Sequence, residues 1–228
     1  MERLMQSLRM GINEKLYLKD PESSTLGKKI IEKSILMINE MGFENFNFKK
    51  LGSKIGSNES SIYRYFENKH KLLLYLASWY WRWMEYKMVL ATHSISDCFE
   101  KLQKAVEILT QNVEEDIAFS HVNEVILNKI VINEYSKSYV TKNVEKENKE
   151  GYFAIYKRLV YRLEEMIATH NPEYPYSLSL ASTILEGSLH QHFLREHFPG
   201  LTNCNQDVEP VHFFMDLITR SLKSKANG

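Results

Sequence analysis

Apolar residues recur three and four positions apart along most of this chain, the period of a helix face rather than a strand. Residues 25–41 place Ile31, Ile35 and Ile38 on one face with Ile30, Met37 and Met41 beside them, and Gly42 closes the helix. Phe43, Phe46 and Phe48 follow as candidate core aromatics. From residue 71 a long helix is predicted through Leu72, Leu73, Leu76, Trp79, Tyr80, Trp83, Tyr86 and Leu90. Neighbouring aromatics on a helix lie about 100° apart, so the cluster of Trp79, Trp81 and Trp83 with Tyr75, Tyr80 and Tyr86 must meet more than one partner surface, mostly as core. Further helical spacing is carried by Phe99, Leu102, Val106 and Leu109, by the Val- and Ile-rich residues 117–132, and by Phe153, Tyr156, Leu159, Leu163 and Ile167 in 152–169. Pro172 and Pro175 break the chain, and two last helices are predicted over 177–197 and 210–222. Residues 142–151 are densely charged and read as a solvated turn or exposed helix end. The fold class expected is all-α.

One stretch, 47–73, has finer punctuation. Asn47 suits an N-cap, Leu51 and Ile55 share a face, and Gly56 suits the left-handed residue that ends a helix. Apolar spacing resumes with Ile62 and Phe66, which would pack back on Leu51 and Ile55. The opposite face presents Ser60, Ser61, Arg64 and the edges of Tyr63 and Tyr65, a polar and aromatic set suited to a major groove. Asn68 suits the cap of the next helix. Lys69 in its first turn adds a cation to free N–H groups, an arrangement that binds phosphate.

The run 30–73 resembles the N-terminal domain of TetR-type transcriptional regulators through Gly42, Asn47, Leu51-Gly52, Gly56-Ser57-Asn58, Ile62-Tyr63-Arg64-Tyr65-Phe66 and Asn68-Lys69-His70-Lys71-Leu72. It departs at Gly52, where alanine is usual, at Ser57 in place of a small apolar residue, and at Tyr65, where histidine is common. The first two are expected to loosen the turn and the third to alter a DNA contact. The resemblance implies a three-helix helix-turn-helix DNA-binding domain over 24–70 and a helical effector-binding and dimerisation domain over 71–228, joined by the helix from residue 71. It further implies a homodimer through the last two helices and a double-stranded, palindromic operator. Repression is the family's commonest mode.

On that reading Ser60, Ser61 and Tyr63 face base edges, and Glu59 accepts from a cytosine amino group. Lys49, Lys50, Tyr65 and Lys69 contact backbone phosphate, with guanine a further option for Lys49. Lys28 and Lys29 are secondary phosphate candidates. An apolar or aromatic effector of unknown identity would enter the second domain, with Trp83, Tyr86, Phe119 and Tyr156 as its lining, and would change the tilt of the helix from residue 71. Residues 1–23 form an N-terminal extension. Its Met10, Ile12, Leu16 and Leu18 favour a short helix docked on the body, while its Arg3, Arg9, Lys15 and Lys19 suit an arm reaching into a minor groove.

Composition sharpens the picture in one respect. The 228 residues carry 29 Lys and Arg against 29 Asp and Glu, yet residues 1–90 hold 15 basic against 10 acidic. A basic head beside an acidic remainder fits nucleic-acid binding. Two cysteines, Cys98 and Cys204, suggest neither a disulfide framework nor a metal site, and a reducing cytoplasm is the expected compartment. The first 18 residues lack the apolar core of a signal peptide. The apolar run 72–90 is interrupted by Arg82, Glu85 and Lys87, so no membrane partner is expected. No nucleotide, phosphate-loop or hydrolase motif is present, and neither catalysis nor a cofactor is expected. Two other classes stay open. One is a helical interaction protein that has lost DNA binding. The other is a metal-dependent helical enzyme, which would need His190, His192 and His197 to converge with Glu186 and Glu196.

Overall fold

The computed structural model describes residues 11–114 and 121–223, apart from the side chains of residues 135 and 136. Among the described residues the ordered elements are α-helices and short 3-10 turns, with no strand. The helices are α1 (Thr25–Asn45), α2 (Phe48–Ile55), α3 (Glu59–Tyr63), α4 (Lys69–Thr92), α5 (Cys98–Thr110), α6 (Glu124–Tyr139), α7 (Val144–Lys149), α8 (Ala154–His170), α9 (Ser177–His197) and α10 (Pro210–Ser221). They form two compact units. The first takes the chain to Arg82 together with Val113–Ile155, and the second takes Trp83–Asn112 together with the chain from Tyr156.

In the first unit, Ser24 caps α1 by accepting from the Gly27 N–H at 3.1 Å. The helix buries Ile30, Ile31, Ile35, Met37 and Ile38. Gly42 has φ 75° and ψ 154°, a conformation that suits glycine, and it breaks the helix where the spacing predicts. The chain then makes one more turn to Asn45. The Phe43 N–H freed by the break donates to Glu134 Oε1 of α6 at 3.0 Å, so the interruption leaves no orphaned donor there.

The described part of the extension, residues 11–23, docks on the body. Ile12 and Leu16 are buried, and the Leu18 N–H donates to the Tyr65 carbonyl at 2.7 Å. Pro21 lies so close to Gly27 that a Cβ there would stand 2.1 Å from the Pro21 carbonyl oxygen. Residues 1–10 lie outside the described part, and with them Arg3 and Arg9 of the arm.

From Leu72 to Trp81, α4 is buried on every side, as a helix enclosed by others must be. Trp79, Tyr80 and Trp81 are all buried although they point in different directions. Tyr80 donates to Asn128 Oδ1 at 2.8 Å and Trp81 Nε1 donates to the Tyr139 hydroxyl, so each polar tip has a partner on α6. Residues 142–151 are mostly exposed, as expected, with one buried exception. They contain α7, whose Glu147 is only 7% exposed and accepts from His70 Nε2 at 2.8 Å. The helix expected over 117–132 runs over Glu124–Tyr139 instead, with residues 115–120 outside the described part.

The second unit packs α5, α9 and α10 around Leu102, Val106, Ile184 and Phe214. Asp97 caps α5 by accepting from the Glu100 N–H at 2.7 Å. Small residues on α9 are used inside the unit, since a Cβ on Gly187 would stand 3.1 Å from the Phe214 ring and Ser188 is buried. Glu85 is 1% exposed and accepts from Arg158 at both oxygens, 2.7 Å each, and from Arg162 Nε at 2.9 Å. A buried carboxylate needs such paired cations to offset its lost hydration. No helix among the described residues is long and apolar enough to cross a membrane.

Candidate nucleic-acid interface

The helix-turn-helix is held by local chemistry that the sequence states openly. Asn47 Oδ1 accepts from the Lys50 N–H at 2.9 Å to start α2. Gly56 ends it with φ 69° and ψ 35°. The Ser57 N–H returns to the Gly52 carbonyl at 2.9 Å. Gly52 does not loosen this turn. A Cβ at Gly52 would stand 2.9 Å from the Ser57 oxygen and 3.2 Å from the Glu59 nitrogen, so the missing side chain lets the turn close tightly over α2. Leu51, Ile55, Ile62 and Phe66 meet beneath it, each at most 4% exposed.

Asn58 organises the outward face. Its Oδ1 accepts from the Ser61 N–H at 2.9 Å and from the Ser60 and Ser61 hydroxyls at 2.8 and 2.6 Å. One amide oxygen thus caps α3 and orients both serines. Ser60 is exposed, Ser61 and Glu59 are half-buried, and Arg64 is exposed at the end of the helix. Tyr63 is 46% exposed with its ring edge-on to Phe48 at 5.0 Å, which stiffens an aromatic that solvent can reach. Lys49 and Lys50 are exposed at the start of α2, and Lys50 Nζ donates to the Asn45 carbonyl at 2.7 Å.

Two expected phosphate contacts are otherwise engaged. Lys69 Nζ donates to the carbonyls of Phe43 and Glu44 at 3.0 Å each and of Phe46 at 3.2 Å. An ammonium has three N–H bonds, and these acceptors at the negative end of α1 use all three. Tyr65 is 3% exposed, and its hydroxyl is hydrogen bonded to Ser24 Oγ at 2.8 Å, which lowers its pKa. The cause is the length of α3. The helix ends at Tyr63, so its angular register does not extend to Tyr65, which turns inward instead. Lys29 likewise donates to the Ile55 carbonyl at 2.8 Å and ties α1 to the end of α2. Lys28 is exposed.

The expected effector-lining residues fall in different settings. Trp83 is fully buried, Tyr86 is half-buried, and the Tyr156 hydroxyl is hydrogen bonded to Glu186 on α9. Phe119 lies outside the described residues. Of the histidines on α9, His192 is buried against the Thr110 carbonyl at 3.1 Å, and burial lowers its pKa. His190 and His197 are exposed and lie against Phe193. No group of three or more His, Cys, Asp or Glu among the described residues is placed to hold a metal ion. Sequence reasoning passed over a cavity of about 660 Å³ in the first unit, lined by residues 67–71 and 141–152.

Residues 30–76 match the family model described as bacterial regulatory proteins, tetR family. No curated protein matches the sequence. Among solved structures, the chain is similar to AibR in complex with isovaleryl coenzyme A and operator DNA, at 16% identity and a TM-score of 0.55, over 84% of this chain and 95% of that one. Apo AibR superposes with a TM-score of 0.52 at 13% identity, over 83% and 95%. The superantigen PfiT does so with a TM-score of 0.54 at 16% identity, over 90% and 96%. At such identities the structural likeness speaks for the fold alone, and the tetR family model covers the head, residues 30–76.

Proposed function

We propose that the protein is a sequence-specific transcriptional repressor of the cytoplasm that binds a palindromic operator as a homodimer and is released by a small effector. The observation that carries this reading is the outward face of α3. There Ser60 and Ser61 are oriented by Asn58, and Tyr63 stands half-exposed on Phe48. These groups reach base edges, with Glu59 beside them as an acceptor for a cytosine amino group. Lys49 and Lys50 supply phosphate contacts from α2, while Lys69 and Tyr65 hold the head together and reach DNA only through that. The partner subunit would pack on α9 and α10, and two-fold symmetry would then set two heads on successive major grooves.

An effector site in the second unit remains part of the proposal, with Trp83, Tyr86 and Tyr156 as its first candidates. AibR, with its isovaleryl coenzyme A and operator DNA, supports a regulator of this fold that responds to a small molecule. Binding selection from randomised duplexes tests the reading. An inverted repeat with half-sites about 10 base pairs apart, or a multiple of that, is the expected product. Recovery of unrelated sequences would overturn it.

A second reading has one observation in its favour. PfiT, described as a superantigen, has a similar fold over 90% of this chain, and two of the expected phosphate contacts here make hydrogen bonds within the protein. On that reading the protein keeps the fold as an interaction module. The same selection would then enrich nothing over its starting pool.

A further inference from the structure

The docked extension brings a lysine to the end of the recognition helix. The Leu18 N–H donates to the Tyr65 carbonyl at 2.7 Å, which fixes the backbone of Lys19 next to residue 65. The Lys19 ammonium stands over the Tyr65 ring, 5.0 Å from its centre. The ring cannot swing away, because Tyr65 is buried and its hydroxyl is hydrogen bonded to Ser24 Oγ at 2.8 Å. On the other side of the lysine, Pro21 packs against Gly27. Lys19 itself is exposed.

Arg64 adds a second cation at the same place. It follows Tyr63 at the C-cap of α3 and is exposed. No hydrogen bond or ion pair among the described residues holds its guanidinium, so its five N–H donors are unspent. The Tyr65 pKa is lowered first by the hydrogen bond to Ser24 and further by the charges of Lys19 and Arg64, so both cations act on one phenol. The nearby acid Asp20 accepts from the Glu22 N–H at 2.9 Å and pairs with neither of them.

A lysine on a free arm must be ordered before it can hold a partner. Lys19 is anchored at its backbone and at its ammonium, so a phosphate would meet its charge with little further loss of freedom. A phosphodiester accepts from an ammonium and from a guanidinium alike. Both cations lie just beyond Tyr63, at the end of the helix whose face is proposed to read bases, where the wall of a groove is sugar and phosphate.

We infer that the docked extension is part of the DNA interface, with Lys19 and Arg64 contacting the phosphate backbone beside the base-reading face of α3. The inference rests on the DNA-binding reading above and adds a third segment to it. These two residues supply the contact that Tyr65, turned inward, does not make. The extension acts here from a docked position and reads no bases, unlike an arm laid in a minor groove.

Fluorescence anisotropy of the full-length protein over a series of KCl concentrations tests this, with the duplex upstream of its own gene and a scrambled duplex as probes. Lys19→Gln and Arg64→Gln should each weaken binding to both duplexes about fivefold to tenfold and make the salt slope shallower by about 0.9. Lys19→Arg keeps the charge and should keep the slope. Lys157→Gln removes the same charge from an exposed position in the second unit and should change nothing. Thermal melting accompanies each variant, since a Lys19 that only steadies Tyr65 would lower the Tm and leave the slope alone. A parental slope in either glutamine variant overturns the contact for that residue, and an equal loss of slope in Lys157→Gln overturns both as an effect of net charge. A parent protein that binds neither duplex at any salt concentration would instead remove the DNA-binding reading, and this inference with it.

Discussion

Lys69 Nζ lies 3.0 Å from the carbonyl oxygen of Phe43, and its other two hydrogens point at Glu44 and Phe46. A lysine placed by its sequence neighbours to hold phosphate instead fastens the start of α4 to the end of α1. Replacement by Met should therefore lower the stability of the head by about 1.5–3 kcal/mol, the scale of hydrogen bonds from a charged donor. The salt dependence of DNA binding should keep its slope, since no phosphate contact is removed. A slope shallower by about one, with the melting temperature unchanged, would restore the phosphate role.

Gly27 and Pro21 form the second test. A methyl group at residue 27 would overlap the Pro21 carbonyl at 2.1 Å, a backbone contact that cannot swing aside. Gly27→Ala should cost about 1–3 kcal/mol, as overpacking does, or detach the extension altogether. Limited proteolysis around residues 17–23 would report detachment as faster cleavage. Unchanged melting and cleavage would show that the extension contributes nothing to the head.

Asn58 separates capping from recognition. Asn58→Ala removes the acceptor of three hydrogen bonds and should cost about 1 kcal/mol while freeing Ser60 and Ser61. Asn58→Asp retains the cap, so melting should hold, but the added negative charge beside the groove face should weaken binding to every duplex. Equal DNA affinity for the Asp variant and the parent would remove α3 from the interface.

His192 gives a pH dependence with a definite sign. Burial against Thr110 depresses its pKa below the ordinary value of 6.5, so the folded state holds it neutral while the unfolded state takes up a proton. Its contribution to stability is complete above about pH 6.5 and is lost as the pH falls below that value towards the depressed pKa. Chemical denaturation at several pH values should show this slope, and His192→Gln should flatten it. An identical slope in the variant would assign the acid sensitivity elsewhere.

How far the sequence could be read depended on whether the deciding partner was near in the chain. Asn47, Gly56 and Asn58 act on residues within five positions, and their spacing alone located the two helices of the motif. The inward turn of Tyr65 was not legible because a five-residue helix stops before its register reaches that side chain. The carbonyl partners of Lys69 were not legible because they lie 23 to 26 positions earlier, at the end of α1. Gly52 looked like a weakness in the turn until the approach of Ser57 supplied its reason. Glu147 was least legible of all. It sits in a run of charges that reads as solvated, and its burial is set by His70, 77 positions away.

The central claim is that the face of α3 reads DNA, and salt-resolved fluorescence anisotropy tests it most directly. The labelled duplex would be the region upstream of the protein's own gene, set against a scrambled duplex of the same composition. The account predicts tight binding to the first that weakens linearly in log salt, and a Tyr63→Ala variant that narrows the gap between the two duplexes while the slope stays the same. Equal binding of both duplexes by the parent protein, unaltered by Tyr63→Ala, would contradict it.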